Sequence, residues 1–295
     1  MHRIGGLMPA MTPDRRSLAL LILAGCSTAS TASPESVDAF AAIDGAADGP
    51  IVPEASPHLG LGIPIDTSPG DDLLVVHPQF AASYNRYLNE ANWVSWRTRP
   101  SDFGPAPRYA GPFFPDPLLP SEVFHPDTDI YFGPGYDRGH MLRSEERTDT
   151  EAHNIETFVM TNVIPQTADL NRGVWFDFEL HVQRTVQSTA HPKDAYVIAG
   201  PIFPAACRTH VARTAGDGCP DIGRDTNVGH RVAVPSSTFK IVAFVPAGTP
   251  FDPATATVTA VVMPNIDGIA NDRWYTYRAT VAEIEQLTGY DIPAL

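Results

Sequence analysis

Proline and glycine set the first limit on what this chain can fold into. Its 295 residues include 29 prolines and 22 glycines. Proline removes a backbone donor and clashes inside a helix, and both residues punctuate chains at turns. A chain so interrupted reads as short strands joined by many loops, which excludes a helical bundle. The density is greatest over 99–135, where PSDFGPAPRYAGPFFPDPLLP reads as ordered loop anchored by Phe103, Tyr109, Phe113 and Phe114.

Regular elements flank that loop. LLVVH (73–77) and NWVSW (92–96) read as strands, with a hairpin over 81–98. A short strand is expected over 129–132, a Gly133-Pro134-Gly135 turn after it, a helix over 151–158 and a buried strand over 157–164. Asp169 is placed to cap a helix from Leu170 or Asn171 to about Ser188, with Trp175, Phe178 and Val182 as its apolar stripe. Strands follow over 195–200, 239–245 and 256–263. A last helix over 280–289 has Thr280 as cap, Glu283 three residues on and Gly289 as stop. Strands and helices are mixed rather than strictly alternating, so the fold class is α+β, not a doubly wound sheet.

The first 72 residues differ in character. DRRSLALLILAGC (14–26) looks like a bacterial lipoprotein signal, with Arg15 and Arg16 as its basic start and an apolar run too short to span a bilayer. Leu23-Ala24-Gly25-Cys26 resembles the box in which the cysteine is lipidated. An ordinary cleaved signal with an incidental cysteine is the alternative. A start at Met11 would give this leader a conventional length. Residues 27–72, rich in Ser, Thr, Ala, Pro, Gly and Asp, read as a flexible acidic tether. The expected organisation is thus a signal over 1–26, a linker over 27–72 and one domain over 73–295. The chain would be exported and anchored to a bacterial membrane through Cys26, or else periplasmic or secreted. With export, Cys207 and Cys219 are expected to form a disulfide; two free thiols are the alternative.

Charge counts against a nucleic-acid partner. The chain carries a net −14. Eight acids fall in 27–72 with no Lys or Arg, and 1–26 hold three arginines against one aspartate, so 73–295 keep a net −8. Phosphate binding needs positive charge, so any basic footprint must be local.

Two segments carry the chemistry. YDRGH (136–140) offers His140, whose unperturbed pKa of about 6.5 leaves a neutral imidazole near pH 7, flanked by Asp137 and Arg138. TNVIPQTADLNRGVWFDFE (161–179) offers the amide oxygen of Asn171 and the carboxylate of Glu179. Eight positions on a regular helix separate these by about 80° and about 12 Å. A base, hard-metal ligands and cations are the parts that phosphodiester hydrolysis needs. Taken singly, each has a plainer reading: a structural histidine, a capping asparagine and a solvated glutamate. No phosphate-binding GxxxxGK[ST] loop is present.

In their order, ANWVSW (91–96), DRGH (137–140), TNVIPQTADLNRGVW (161–175), VIAGPIF (197–203), PSSTFKIV (235–242) and TVAEIEQLTG (280–289) resemble the DNA/RNA non-specific endonucleases, the ββα-metal nucleases. The resemblance implies a central mixed or antiparallel sheet flanked by helices. It also implies Mg²⁺, with Mn²⁺ as an alternative, and DNA and RNA as substrates cut to leave 5′-phosphates. It assigns His140 as general base, Asn171 as the direct metal ligand and Glu179 to a metal-bound water. Asp137 would orient the site or a metal-bound water, with a plain turn role as its alternative; Arg138 would contact phosphate, and Arg108 would match an upstream arginine that stabilises the transition state. Two departures stand out. Gln183 occupies the position of a second family arginine, with Arg143 or Arg172 available to supply the charge, and MLRSEER replaces the usual run after DRGH. Against this reading stand a non-catalytic surface lipoprotein that binds nucleic acid or protein, and a phosphodiesterase with another substrate.

Overall fold

The computed structural model describes residues 56–133, 135–207 and 211–295. The expected leader, Cys26 and the tether as far as residue 55 lie outside the described residues, as does Pro134 of the expected turn. In chain order the elements are β1 (Leu73–Val76), β2 (Ala81–Asn85), β3 (Glu90–Thr98), β4 (Asp137–His140), α1 (Glu151–Glu156), β5 (Val163–Gln166), α2 (Trp175–Val186), β6 (Lys193–Ile202), β7 (Asp221–Ile222), β8 (Val232–Ala233), β9 (Ser237–Pro246), β10 (Thr257–Pro264), β11 (Arg278–Ala279) and α3 (Val281–Thr288).

Seven strands form one sheet in the order β1-β2-β3-β6-β9-β10-β11, and every neighbouring pair is antiparallel. The two-residue period of β3, β6 and β9 sends alternate side chains to opposite faces. Val94, Trp96, Val197, Ala199, Val242 and Phe244 pack on one face with Trp175, Phe178 and Val182 of α2. Trp93, Ile198, Ile241, Ala243 and Val245 pack on the other with Ile284 of α3, Tyr290 and Ile292. The sheet is thus covered on both sides, which is why its central strands are apolar almost throughout. β4 and β5 form a separate antiparallel ribbon, with Asp137 opposite Gln166 and His140 opposite Val163.

The α+β class and the hairpin over 81–98 hold, and the last helix has both bonds of its capping box, with Gly289 left-handed at φ 84°. Four local expectations need correction. Residues 128–131 form a 3₁₀ turn, because the Asp127 side chain accepts the Asp129 N–H at 2.9 Å and closes a turn. Of the strand expected over 157–164 only the last two residues lie in β5; Met160–Asn162 form a 3₁₀ turn in which the Asn162 N–H bonds the Val159 carbonyl at 3.0 Å, while the Asn162 side chain bonds both the N–H and the carbonyl of Leu142. Asp169 does not cap α2; its carboxylate accepts the Gly268 N–H at 2.6 Å. Residues 56–72, assigned to the tether on composition, are packed at least in part. Leu59 and Leu61 are buried in the α3-side core, and Ile65 bridges to Asp291. The disulfide between Cys207 and Cys219 is present.

Candidate active site

The ribbon and the entrance to α2 bring the chemical residues together. DRGH is a short strand, and a Cβ on Gly139 would collide with the buried side chain of Gln166 on the paired strand, which would have to move. His140 ends this strand. Its ring packs against Phe113 at 5.0 Å and Phe158 at 5.1 Å between centroids. Nε2 is buried without a hydrogen-bond partner, which leaves Nδ1 as the nitrogen open to the cleft. Burial, with a smaller contribution from the Arg108 guanidinium, pulls the imidazole pKa down to about 3, so the ring is neutral at pH 7.

Asn171 does not sit in the first turn of a regular helix. Leu170–Val174 is a π-helical turn, and Gly173 within it has φ −105° and ψ −107°. A Cβ there would lie 2.5 Å from Cα of Ala270, so only glycine lets the loop at Ala270 approach. The straight-helix relation between Asn171 and Glu179 therefore does not apply. Asn171 instead donates from Nδ2 to the Asp137 carboxylate at 3.0 Å. A carboxylate can only accept, so this bond fixes the amide with Oδ1 turned away from Asp137. Arg172 grips the same carboxylate at 2.7 and 2.5 Å. Burial works against the Asp137 anion, but these bonds outweigh it and hold the carboxyl below its ordinary range.

A cleft of about 470 Å³ gathers Arg108, Asp137, Arg138, His140, Asn171 and Glu179, every catalytic or metal candidate named from the sequence. Arg143, Arg172, Glu145, Phe113 and Phe176 complete its lining. Four arginines face three acids, a local positive excess in an acidic chain. Arg108 bonds Ser144, pairs with Glu145 at 3.3 Å and stacks on Phe158. Arg138 donates to Thr128 at 3.1 Å and lies over Phe113. Arg143 donates to Gln183 at 3.0 Å and reaches Glu179 at 3.7 Å. A guanidinium therefore stands beside Gln183, delivered from the segment after DRGH. Arg172 is committed to Asp137, and Arg184 is exposed and outside the cleft.

Glu179 is not a solvated helix acid. It is 6% exposed, and burial pushes its carboxyl up to about 7 against the pull of Lys240 and Arg143. Lys240 lies 3.5 Å from it. Sequence reasoning misses this lysine, although a signal for it exists: in FKIVAFV the two-residue period places Lys240 on the same buried face as Val242 and Phe244.

With Asp137 occupied by Asn171 and Arg172, the donors left in the cleft beside His140 are oxygens: Oδ1 of Asn171 and the carboxylate of Glu179. That set fits a hard divalent cation and not a thiophilic one. With a neutral imidazole and arginines alongside, the arrangement suits hydrolysis of a phosphodiester.

The fold and this cleft define an α+β nuclease of the ββα-metal kind. The chain belongs to the DNA/RNA non-specific endonuclease family, whose sequence profile matches residues 62–294. It is similar to a nuclease of Nostoc sp. (strain PCC 7120 / SAG 25.82 / UTEX 2576), 38% identical over 246 residues that cover 81% of each chain. It is 27% identical over 210 residues to human mitochondrial nuclease EXOG, covering 71% of this chain and 54% of that one. To mitochondrial endonuclease G of Caenorhabditis elegans it is 28% identical over 180 residues, covering 60% and 55%. The chain thus spans about half the length of these two relatives. A crystal structure of an EndoG/EndoGI complex shares the fold, with a TM-score of 0.63, 24% identity and coverage of 81% of this chain and 91% of that one.

Proposed function

We propose that this nuclease is a divalent-metal-dependent endonuclease that hydrolyses both DNA and RNA with little sequence preference. His140 is its general base, and Asn171 is the direct protein ligand of the ion. The observation that carries the reading is the shared cleft: one neutral imidazole and one amide with a fixed free oxygen, among four arginines.

The roles follow from the contacts. For His140 to accept a proton at Nδ1, its own proton must sit on Nε2 against the phenylalanines. Burial makes the charged ring costly, so the base form persists at neutral pH. The proton of the attacking water passes to Nδ1 as oxygen bonds to phosphorus. The bond from phosphorus to the 3′ oxygen breaks with its electron pair going to that oxygen, which takes a proton from solvent water, leaving a 5′-phosphate and a 3′-hydroxyl. Asn171 would hold the ion directly, with Glu179 facing it through water and Asp137 keeping the amide oriented. Magnesium, or manganese in its place, would supply charge neutralisation at the phosphate and the leaving oxygen. Arg108, Arg138 and Arg143 bind phosphate oxygens from the cleft wall. The cleft's cations suit phosphate contacts, which carry no sequence information, and this supports weak sequence preference. Export, with Cys26 as a lipid anchor, is part of the proposal and rests on the leader sequence; labelling with a radioactive fatty acid, lost in Cys26→Ala, tests it.

Supercoiled plasmid, single-stranded RNA, a dinucleotide and a lipid head-group diester, each incubated with Mg²⁺ with and without EDTA, test the substrate reading. Nicking and RNA cleavage that EDTA abolishes are expected. Hydrolysis of the small diesters alone, or cleavage indifferent to EDTA, would overturn it.

A further inference from the structure

The chain contains two lysines, Lys193 and Lys240. Lys240 is 1% exposed and sits on β9 between Ala199 of β6 and Val261 of β10. Its same-face neighbours Val242 and Phe244 are apolar, so packing alone would favour an aliphatic residue. A buried ammonium is costly unless its partners answer it closely. Four groups answer this one. Glu179 Oε1 lies at 3.5 Å and the Met141 carbonyl at 3.5 Å. The ring of Trp175 lies at 4.2 Å and that of Trp96 at 5.4 Å.

These partners reach the cleft from beneath. Glu179 is a cleft residue on α2. Met141 follows His140 directly, so its carbonyl fixes the chain that leaves the base. Trp175 opens α2 immediately after the π-helical turn that bears Asn171. One cation therefore touches the strand of the base, the helix of the carboxylate and the start of that helix, while lining none of the cleft itself. The other Glu179 oxygen faces Arg143. The carboxylate is thus held between a cation below and a cation at the cleft wall, which fixes its direction.

We infer that Lys240 is a positioning residue for the reaction, aiming the Glu179 carboxylate into the cleft. The inference rests on the nuclease reading above. Lys240 acts through Glu179, so its removal must matter only while Glu179 is a carboxylate.

A double-mutant cycle on cleavage kinetics tests this. Lys240→Met keeps length and apolar contact with both tryptophans but removes the charge. Loss of such a supporting partner costs on the order of 10- to 100-fold, and here it is expected in kcat with KM little changed. Glu179→Gln should lose activity on its own, and Glu179→Gln/Lys240→Met should be no slower than Glu179→Gln alone. A Lys240→Met kcat close to wild type, or losses that multiply in the double variant, would overturn the inference. Where Lys240→Met fails to fold by circular dichroism, the double variant buries no unpaired charge. Its kcat against that of Glu179→Gln then decides: equality supports the inference and a further loss overturns it. A wild-type protein without nuclease activity would overturn the reading beneath the inference as well, and the wild-type rate alone identifies that case.

Discussion

At the scale of single residues, hydrogen-bond direction decides more here than proximity does. Asn171 presents an oxygen to the cleft because Asp137 can only accept from its amide. Asp137→Asn removes that constraint and lets the amide turn. Affinity for Mn²⁺, read by calorimetry, is then expected to fall roughly 10- to 100-fold, and an unchanged affinity would remove Asp137 from this role. His58 obeys the same logic away from the cleft. Its Nε2 donates to the Pro78 carbonyl at 2.8 Å and its Nδ1 accepts the Arg97 N–H at 3.3 Å, so both nitrogens are used in the neutral ring. Burial lowers its pKa from 6.5 to about 4, with the nearby Arg147 and Arg99 adding to the effect and Asp102 opposing it. As pH falls below 6.5 the unfolded chain binds a proton there that the folded protein refuses. Stability is therefore lost between pH 6.5 and 4, by up to roughly 3 kcal/mol from this group. His58→Gln keeps a donor and an acceptor without the titration. Its urea midpoint should fall less than that of wild type between pH 7 and 4.5, and an equal fall would contradict the assignment.

At the scale of elements, the entrance to α2 is the part most exposed to small changes. Gly173 is in contact with the backbone of Ala270. Gly173→Ala must push the two apart, at a cost of about 1–3 kcal/mol for overpacking, and must shift Asn171. A melting temperature that falls together with kcat is expected; a fully active, equally stable variant would refute the steric account. The same entrance marks where sequence reading stops. The hairpin, the apolar face of α2 and the capping box of α3 rest on neighbours in the chain, so their signals are local and legible. The π-helical turn is not: Asp169 has the chemistry of a cap, but Gly268, nearly a hundred residues away, takes its carboxylate. The 3₁₀ turn ahead of β5 is likewise tied to a distant segment, since the Asn162 side chain bonds both backbone groups of Leu142. His140, Asn171 and Glu179, which all line the cleft, are legible because two short segments carry motifs that resemble those of the endonuclease family, whereas their straight-helix spacing is not kept. Lys240 is hidden because its importance depends on what α2 lays over β9.

At the scale of the whole molecule, an acidic chain concentrates four arginines at one cleft. Three of the four already pair with acids, Arg172 with Asp137, and Arg108 and Arg143 with Glu145. Few phosphates can be neutralised, so the slope of log binding against log salt for duplex DNA should be no steeper than about −4. A steeper slope in filter binding would reveal a larger basic surface. The disulfide lies in the segment between β6 and β8, outside the cleft lining, and closes a small loop. Cys207→Ser/Cys219→Ser should lower unfolding stability by about 3 kcal/mol while leaving cleavage at room temperature unchanged. Loss of activity in the folded variant would show that this loop reaches the site. The central claim is that two segments divide the work in one cleft, the imidazole taking the proton and the amide holding the ion. It is tested by measuring Mn²⁺ binding and plasmid nicking together in wild type, His140→Ala and Asn171→Ala. The account predicts that His140→Ala binds the ion like wild type yet does not nick, and that Asn171→Ala loses both. Full nicking by His140→Ala, or ion binding undiminished in Asn171→Ala, would contradict it.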